Sequence, residues 1–195
     1  MRSSPAIALA IVSLAGALCS AELPPAVFAV GFGVGVPYEL PVAWDQSFSY
    51  LTSEVFLSRN LTAAFDLGVY PSSFPDLIEA SASLLVKGWL GSSSLFAGGG
   101  LAARYLQIGS FWGISPYLIL KAGFQTWLLD SLALVVQYRT MESLPIDWDF
   151  SPELSVGLTV AFGRARPTTP IYDGQSIWVL IGLGVAALIA FLPRQ

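Results

Sequence analysis

The chain of 195 residues is 54% hydrophobic and only 11% charged, with a mean hydropathy of +0.67, whereas soluble domains carry about 25% charged residues. A soluble surface is therefore not expected, and the net charge of −4 argues against a nucleic-acid partner. Because the chain has no histidine, Ser–His and Cys–His catalysis and histidine-containing zinc sites are excluded. We predict no enzymatic activity and no catalytic, metal or cofactor site.

The N-terminus has the pattern of an export signal. Arg2 precedes a short apolar stretch at residues 6–18. Cys19-Ser20-Ala21 then places small residues at positions −3 and −1 relative to a cleavage site. We predict a signal peptide over residues 1–21, cleaved after Ala21. A membrane anchor is the alternative, but the stretch is shorter than the ~20 residues that span a bilayer. Lipidation at Cys19 is a further alternative, which Leu18 disfavours because a small residue is required there.

The middle of the chain alternates between apolar and small or polar residues, which is the signature of β-strands. The alternation is clearest in the last segment, where Leu154, Val156 and Leu158 are separated by Ser155 and Gly157. No apolar run there reaches the 18 residues that a spanning helix requires. We predict eight strands, at residues 26–36, 47–58, 61–70, 78–90, 95–105, 116–126, 131–139 and 153–162.

The predicted connections are alternately long and short. The long ones are residues 37–45, 71–76, 106–113 and 140–151, and the short ones lie near residues 58–60, 91–94 and 128–130. This rhythm is typical of an up-and-down transmembrane β-barrel with short turns at one end and longer external loops at the other. The fold class predicted for residues 22–163 is therefore an all-β, eight-stranded antiparallel barrel.

The strand charges indicate which face points inward. Each lies on the face opposite the more apolar row of its strand, and a charge facing lipid near the bilayer midplane costs about 2–4 kcal/mol. We therefore predict that all of them form a lumen network. The predicted members are Glu54, Asp66, Glu79, Lys87, Arg104, Lys121, Arg139 and Glu153.

The strand directions sort these charges by depth into balanced groups. Glu79, Arg104, Arg139 and Glu153 are expected near the outer end, Asp66 and Lys121 at mid-depth, and Glu54 and Lys87 toward the periplasm. Eight strands leave an interior that side chains can fill. We therefore predict a plugged, charge-paired lumen, with a path for protons or ions as the alternative.

Five of the six tryptophans fall at strand ends or in loops, none in mid-strand. Membrane interfaces favour tryptophan at such depths. The predicted interfacial aromatics are Trp44, Trp89, Trp112, Trp127 and Trp148.

The pattern over residues 22–163 resembles the small eight-stranded bacterial outer-membrane β-barrel superfamily, typified by the OmpA transmembrane domain and the OmpX type. One motif is more specific: Ser155, Gly157, Val160 and Phe162 resemble the last-strand signal that the barrel-assembly machinery binds in this family. The resemblance implies a bacterial outer-membrane location, with the lipid bilayer and that machinery as partners. In the family the final aromatic residue is usually the last of the barrel and often of the chain, whereas here 33 residues follow Phe162.

The segment that follows the barrel has two parts. Residues 164–176 form a polar linker, and residues 177–192 are wholly apolar. We predict a helix over 177–192, about 24 Å long at 1.5 Å per residue, which is short for a ~30 Å hydrocarbon core. Gly182, Ala186 and Ala190 fall on one face of this helix; we interpret them as part of an Ala/Gly-rich apolar helix, with a specific helix-contact face as the alternative. We expect the helix outside the barrel, against lipid or the barrel wall, and a sorting tail that is removed by processing is the alternative.

Three classes of function fit a small barrel. The first is a structural or surface-interaction (adhesion-type) role through the external loops, whose partner the sequence does not identify. The second is a narrow solute or ion channel. The third is a lipid-modifying barrel enzyme, which the resemblance disfavours because the family's lipid-modifying enzymes use a histidine with a serine. Asp147 and Asp149 form an acidic pair in a loop, and we interpret them as solvated.

Overall fold

The computed structural model describes residues 26–38, 46–70, 77–108, 111–144 and 151–163. The predicted signal peptide (1–21), linker (164–176) and apolar helix (177–192) lie outside the described residues, as do Trp44, Trp148, Asp147 and Asp149. None of the described residues forms a helix long and apolar enough to cross a membrane.

The described residues form eight antiparallel strands that close into one barrel in chain order, which confirms the predicted fold class. The strands are β1 (Ala26–Pro37), β2 (Phe48–Phe56), β3 (Leu61–Val69), β4 (Leu77–Leu90), β5 (Ser93–Ile108), β6 (Phe111–Trp127), β7 (Leu132–Ser143) and β8 (Ser151–Gly163). Residues 57–60, 91–92 and 128–131 make short turns at one end, called here the turn end. The opposite end is called the loop end.

Closure occurs between the first and last strands, where the pairing runs from Ala26↔Gly163 to Pro37↔Glu153. The strands are staggered around the barrel. A lateral line of paired residues that starts at Phe28 passes through every strand and returns to β1 at Tyr38, ten residues further along. Eight strands with such a stagger tilt strongly and enclose an interior that side chains just fill.

Seven of the eight strands present the more apolar row to the outside. Phe65, Leu158 and Phe162 are about half or more exposed, at 50%, 49% and 64%, whereas alternate neighbours such as Asp66 and Thr159 are buried. This is the reverse of a soluble barrel, which buries its apolar row. The predicted orientation of the rows is therefore confirmed for these strands.

In β2 the row that contains Glu54 also carries Phe48, Tyr50 and Phe56 and faces inward. The expectation that Glu54 lies opposite the more apolar row of its strand is therefore wrong, although Glu54 does point into the lumen.

Two of the predicted loops are wrong in their bounds. Residues 106–113 were expected to form a loop, but β5 and β6 pair as far as Ile108↔Phe111, so only residues 109–110 connect them. The loop predicted at 140–151 is also shorter, because β7 continues to Ser143 and β8 begins at Ser151. In both places ladder hydrogen bonds extend the strands through residues whose alternation is weak.

One short turn depends on a glycine. Leu90 pairs with Ser93, which leaves Gly91 and Ser92 as the two residues of a hairpin turn, and Gly91 has φ = 63°. A two-residue hairpin turn needs a left-handed residue, and glycine adopts that conformation without steric cost.

Candidate functional site

The lumen is filled by alternating charged and apolar layers, and the inward row of β4 crosses all of them. From the turn end, this row runs Trp89, Lys87, Leu85, Ser83, Ser81 and Glu79. Trp89 belongs to one apolar layer, Leu85 to a second, and Lys87, Ser81 and Glu79 each contact a different set of charged side chains.

The layer nearest the turn end contains one ion pair. Lys87 Nζ lies 2.6 Å from Glu54 Oε2 and donates a second hydrogen bond, of 2.8 Å, to Gln125 Oε1. The ammonium group also lies 4.9 Å from the centre of the Phe56 ring. All three polar partners are buried, so the lysine charge is compensated inside the barrel.

The layer at mid-depth contains the second pair. Lys121 Nζ forms an ion pair with Asp66 Oδ2, and Ser81 Oγ donates a 3.2 Å hydrogen bond to the same carboxylate oxygen. A cavity of about 20 Å³ lies beside this pair, which is room for about one water molecule.

The layer nearest the loop end contains four charges. Arg139 contacts Glu79 at 2.8 Å and Glu153 at 2.5 Å. Arg104 contacts the same two carboxylates at 3.1 Å and 3.2 Å. Two arginines and two glutamates thus form one neutral cluster in which each cation bridges both anions.

A residue that the sequence analysis did not select lies at the centre of this cluster. The Tyr70 hydroxyl lies 2.9 Å from Glu79 Oε2 and 3.2 Å from Glu153 Oε1, and it accepts hydrogen bonds from Arg104 and Arg139. Tyr70 follows the end of β3, and burial together with the nearby glutamates raises its pKa above the ordinary value, so the hydroxyl keeps its proton. Its sequence spacing from Asp66, four residues along the same row, was the signal that could have identified it.

The structure thus brings together all eight side chains predicted for the lumen, in the three groups that their depths suggest. Glu142 is not one of these eight, because it lies within the loop predicted at residues 140–151, which the structure shows to begin as part of β7. It is also buried, but it lies on the opposite row of β7 from Arg139. Within the described ranges, no three acidic or thiol side chains converge as a metal site requires.

Apolar clusters alternate with the charged layers, and two of them lie on the turn-end side of the Lys121 pair. The layer at the turn end consists of Ala29, Phe56, Trp89, Trp127, Ala133 and Ala161, and the second consists of Ala64, Leu85, Phe96 and Val135. The first lies across the turn end. The second lies between the Lys87 pair and the Lys121 pair, where the water-sized cavity is lined by Glu54 of one pair and by Asp66 and Lys121 of the other. An ion crossing the first layer would lose its hydration without gaining a polar partner.

The prediction that Trp89 and Trp127 are interfacial aromatics is wrong about the face that they occupy. Both lie near the turn end, but they are only 5% and 2% exposed because they belong to the inward rows. Trp89 Nε1 donates a 2.9 Å hydrogen bond to the backbone oxygen of Arg59, which fixes the ring across the lumen. Trp112, by contrast, is exposed and stacks on Tyr105 with the ring centres 4.6 Å apart.

The predicted assembly motif lies on the strand that closes the barrel. Val160 and Phe162 face outward and are exposed, whereas Ser155 and Gly157 lie on the inward row. Phe162 stacks on Phe28 of β1, with ring centres 5.6 Å apart.

No protein-family model matches the sequence, and no curated protein is significantly similar to it. Solved structures do match. The N-terminal β-barrel domain of OprF from Pseudomonas aeruginosa superimposes with a TM-score of 0.54 at 13% identity, over 69% of this chain and 97% of that chain.

Two further solved structures have a similar fold. Neisserial surface protein A, NspA, gives a TM-score of 0.52 at 16% identity, over 69% of this chain and 97% of that one. A de novo designed transmembrane β-barrel gives 0.53 at 17% identity, over 72% and 99%. This chain has the fold of the small transmembrane β-barrels. At these identities the similarity shows the fold and leaves the activity to be argued from the residues.

Proposed function

We propose that this protein is a small bacterial outer-membrane β-barrel whose closed lumen makes it a rigid support and whose loop end takes part in surface interactions. The apolar outer rows suit a lipid bilayer, and the export signal suits transport to the outer membrane. The motif at Ser155, Gly157, Val160 and Phe162 suits recognition by the barrel-assembly machinery, because Val160 and Phe162 are exposed on the closing strand.

The observation that carries the surface role is the hairpin formed by β5 and β6. Its strands remain paired up to Ile108↔Phe111, whereas β4 begins at Leu77, opposite Leu106, and the last partner of β6 on β7 is Ser143, opposite Tyr117. Among the described residues, β5 therefore extends two residues beyond β4, and β6 extends six residues beyond its last pair with β7. Residues 105–116 contain no charged side chain.

The projecting part of the hairpin presents apolar side chains. Ile114 is 73% exposed and Trp112 is 54% exposed. Exposed apolar surface at the tip of a structure favours an interaction site. Because the hairpin lies at the loop end, it faces the outside of the cell in the proposed orientation.

The lumen supports a structural role for the barrel itself. Its charges are paired within each layer, and the apolar layer at the turn end opposes a continuous polar path. This layer thus disfavours the narrow channel, and the lack of histidine disfavours the lipid-modifying enzyme. We do not expect catalysis.

The location is tested by fractionating cells that produce the protein and running the outer-membrane fraction on gels with and without heating. A folded barrel shifts its mobility on heating. Absence of the protein from the outer membrane, or absence of the shift, contradicts the proposal.

The surface role is tested by retention of intact cells on octyl-coated beads and by cell–cell aggregation. Cells with the parent protein should be retained and should aggregate more strongly than cells with a Trp112→Ser, Ile114→Ser variant. A Phe65→Ser variant on the outer wall is the matched control and should behave like the parent. Equal retention of the parent and the hairpin variant contradicts a surface role for the hairpin. Reconstitution in planar bilayers tests the channel alternative separately, and discrete conductance steps would favour it.

A further inference from the structure

Four described residues of outward-facing rows are buried: Glu142 lies near the loop end of β7, and the other three lie together near the turn end of β3 and β4. Leu61 of β3 and Val86 of β4 pair with each other and are only 3% and 6% exposed, and Gly88 is also buried. We call these three residues the wall patch. The adjacent inward residues Thr62 and Lys87 fix the direction of these rows, because successive side chains of a strand point to opposite faces.

The exposure of the wall patch differs from that of its neighbours on the same outward rows of β3 and β4. Leu84, two residues from Val86 on the same row, is 43% exposed, and Phe65 on β3 is 50% exposed. Side chains on the convex side of a barrel diverge, so strand neighbours cover only their flanks. An outward leucine that is almost completely buried therefore needs atoms lying over it.

We propose that the apolar segment at residues 177–192 packs on the wall patch as a helix that lies along the outside of the barrel. The chain leaves β8 at Gly163, at the turn end, and Leu61 opens β3 directly after the turn at residues 57–60. The segment and the patch thus start from the same end of the barrel.

The linker is long enough to reach. The lateral route from β8 to β4 crosses β1, β2 and β3, or about 19 Å at ~4.8 Å per strand. Residues 164–176, if extended, span up to about 43 Å at 3.3 Å per residue. The segment therefore reaches β3 and β4 without strain.

The chemistry of the two surfaces also fits. Residues 177–192 contain no polar or charged side chain apart from the Trp178 indole, so the helix loses nothing when one face contacts an apolar wall and the other contacts lipid. Gly182, Ala186 and Ala190 form a narrow face on which the helix backbone approaches a neighbour closely. Exposed leucines flank the wall patch and give that face ridges to pack between: Leu57, Leu84, Leu90 and Leu95.

Cysteine crosslinking in the exported, processed full-length protein tests the proposal. In a Cys19→Ser background, Val86→Cys is combined with Ala186→Cys, and the folded protein in outer-membrane vesicles is treated with a short bis-maleimide. The expected result is an intramolecular crosslink between the two cysteines, identified by mass spectrometry of the joined peptides.

The matched control combines Leu158→Cys with Ala186→Cys. Leu158 faces outward from β8, the strand that leads into the linker, so a segment that moves freely in lipid would meet it at least as often as Val86. A crosslink in the Val86 pair with none in the Leu158 pair supports the proposal. Equal crosslinking of both pairs, or crosslinking of neither with thiols that are shown to react, overturns it.

Two further outcomes are also decisive. An intermolecular crosslink through Val86→Cys assigns the patch to a second copy of the chain and overturns the proposal, as does a mature protein whose mass lacks residues 177–192. If the Val86→Cys protein does not show the heat-dependent gel shift, Leu84→Cys replaces it, because Leu84 is exposed and borders the patch. The Leu84–Ala186 pair is then compared with the Leu158–Ala186 pair, and the same results support or overturn the proposal.

Discussion

At the scale of single residues, the ion pair of Lys121 and Asp66 is the simplest buried charge pair of the lumen. The two residues are only 3% and 8% exposed. We predict that Lys121→Met destabilises the barrel by about 3–5 kcal/mol, because it leaves the Asp66 carboxylate buried without its cation. Urea unfolding of the protein folded into lipid vesicles, followed by the gel shift, measures the change.

The double variant Lys121→Met, Asp66→Leu is the control for this prediction. It removes both charges, so it should be more stable than either single variant. Small and equal effects of the single and double changes would mean that water reaches both groups and that the lumen is open.

A second residue-scale prediction concerns the close contact between Gly33 and Tyr50. A methyl group at Gly33 would overlap the Tyr50 ring, which packs across this position inside the lumen. We therefore expect Gly33→Ala to destabilise the barrel by about 1–3 kcal/mol, as overpacking does. The same vesicle unfolding assay measures it.

Gly113 provides the matched control, because a methyl group there would meet nothing within 4 Å. Gly113→Ala should leave the unfolding midpoint close to that of the parent. If Gly33→Ala destabilises the Tyr50→Ala protein much less than it destabilises the parent, the overlap with the ring is the cause. Equal stability of Gly33→Ala and Gly113→Ala would show that the ring moves aside freely.

At the scale of elements, the β5–β6 hairpin extends beyond its last described pairs with β4 and β7, so its tip makes no contribution to closure. We predict that replacing residues 107–112 with Asn-Gly, a favoured two-residue hairpin turn, leaves a folded barrel. Leu106 and Gly113, which pair in the parent, would then flank the turn. The heat-dependent gel shift and the urea midpoint should match the parent, while retention of cells on octyl-coated beads falls. Loss of the gel shift would show that the hairpin tip is needed for folding.

The elements also show what alternation predicts well and what it does not. A row such as Leu154, Val156 and Leu158 marks both the strand and its outward face, since side chains of a strand alternate between two environments. Alternation does not mark where a strand stops. In residues 106–113 the rows are no longer divided between lipid and lumen, so side-chain pattern carries no signal although the ladder continues.

The side chains of the lumen were predictable to different degrees. The depth order of Glu79, Asp66 and Lys87 follows from strand direction, and so their oppositely charged neighbours could be anticipated. The inward position of Trp89 could not be predicted from the sequence, because tryptophan is favoured both at a membrane interface and in an apolar layer inside the barrel. Tyr70 was missed because a tyrosine in a polar row is not by itself a sign of a charged cluster.

At the scale of the whole molecule, the barrel is closed by pairing between β1 and β8, which continues to the last residues of β8. Every strand has two hydrogen-bonded neighbours, so no edge is left for residues beyond Gly163 to cover. We therefore predict that deleting residues 165–195 leaves a barrel that folds and shows the heat-dependent gel shift. A helix on the wall patch would add stability from outside without being required for closure.

The deletion also places Phe162 near the end of the chain, as in the family that the sequence resembles. If the assembly machinery recognises Ser155, Gly157, Val160 and Phe162, the shortened protein should enter the outer membrane at least as efficiently as the parent. A Phe162→Ser change in the shortened chain is the control, and it should lower the amount inserted, measured as heat-shifted protein in the outer-membrane fraction. If the shortened chain fails to fold even when refolded in vesicles, residues 165–195 are part of the folding unit. If it folds in vesicles but does not insert in cells, the tail carries targeting information that the motif on β8 does not supply.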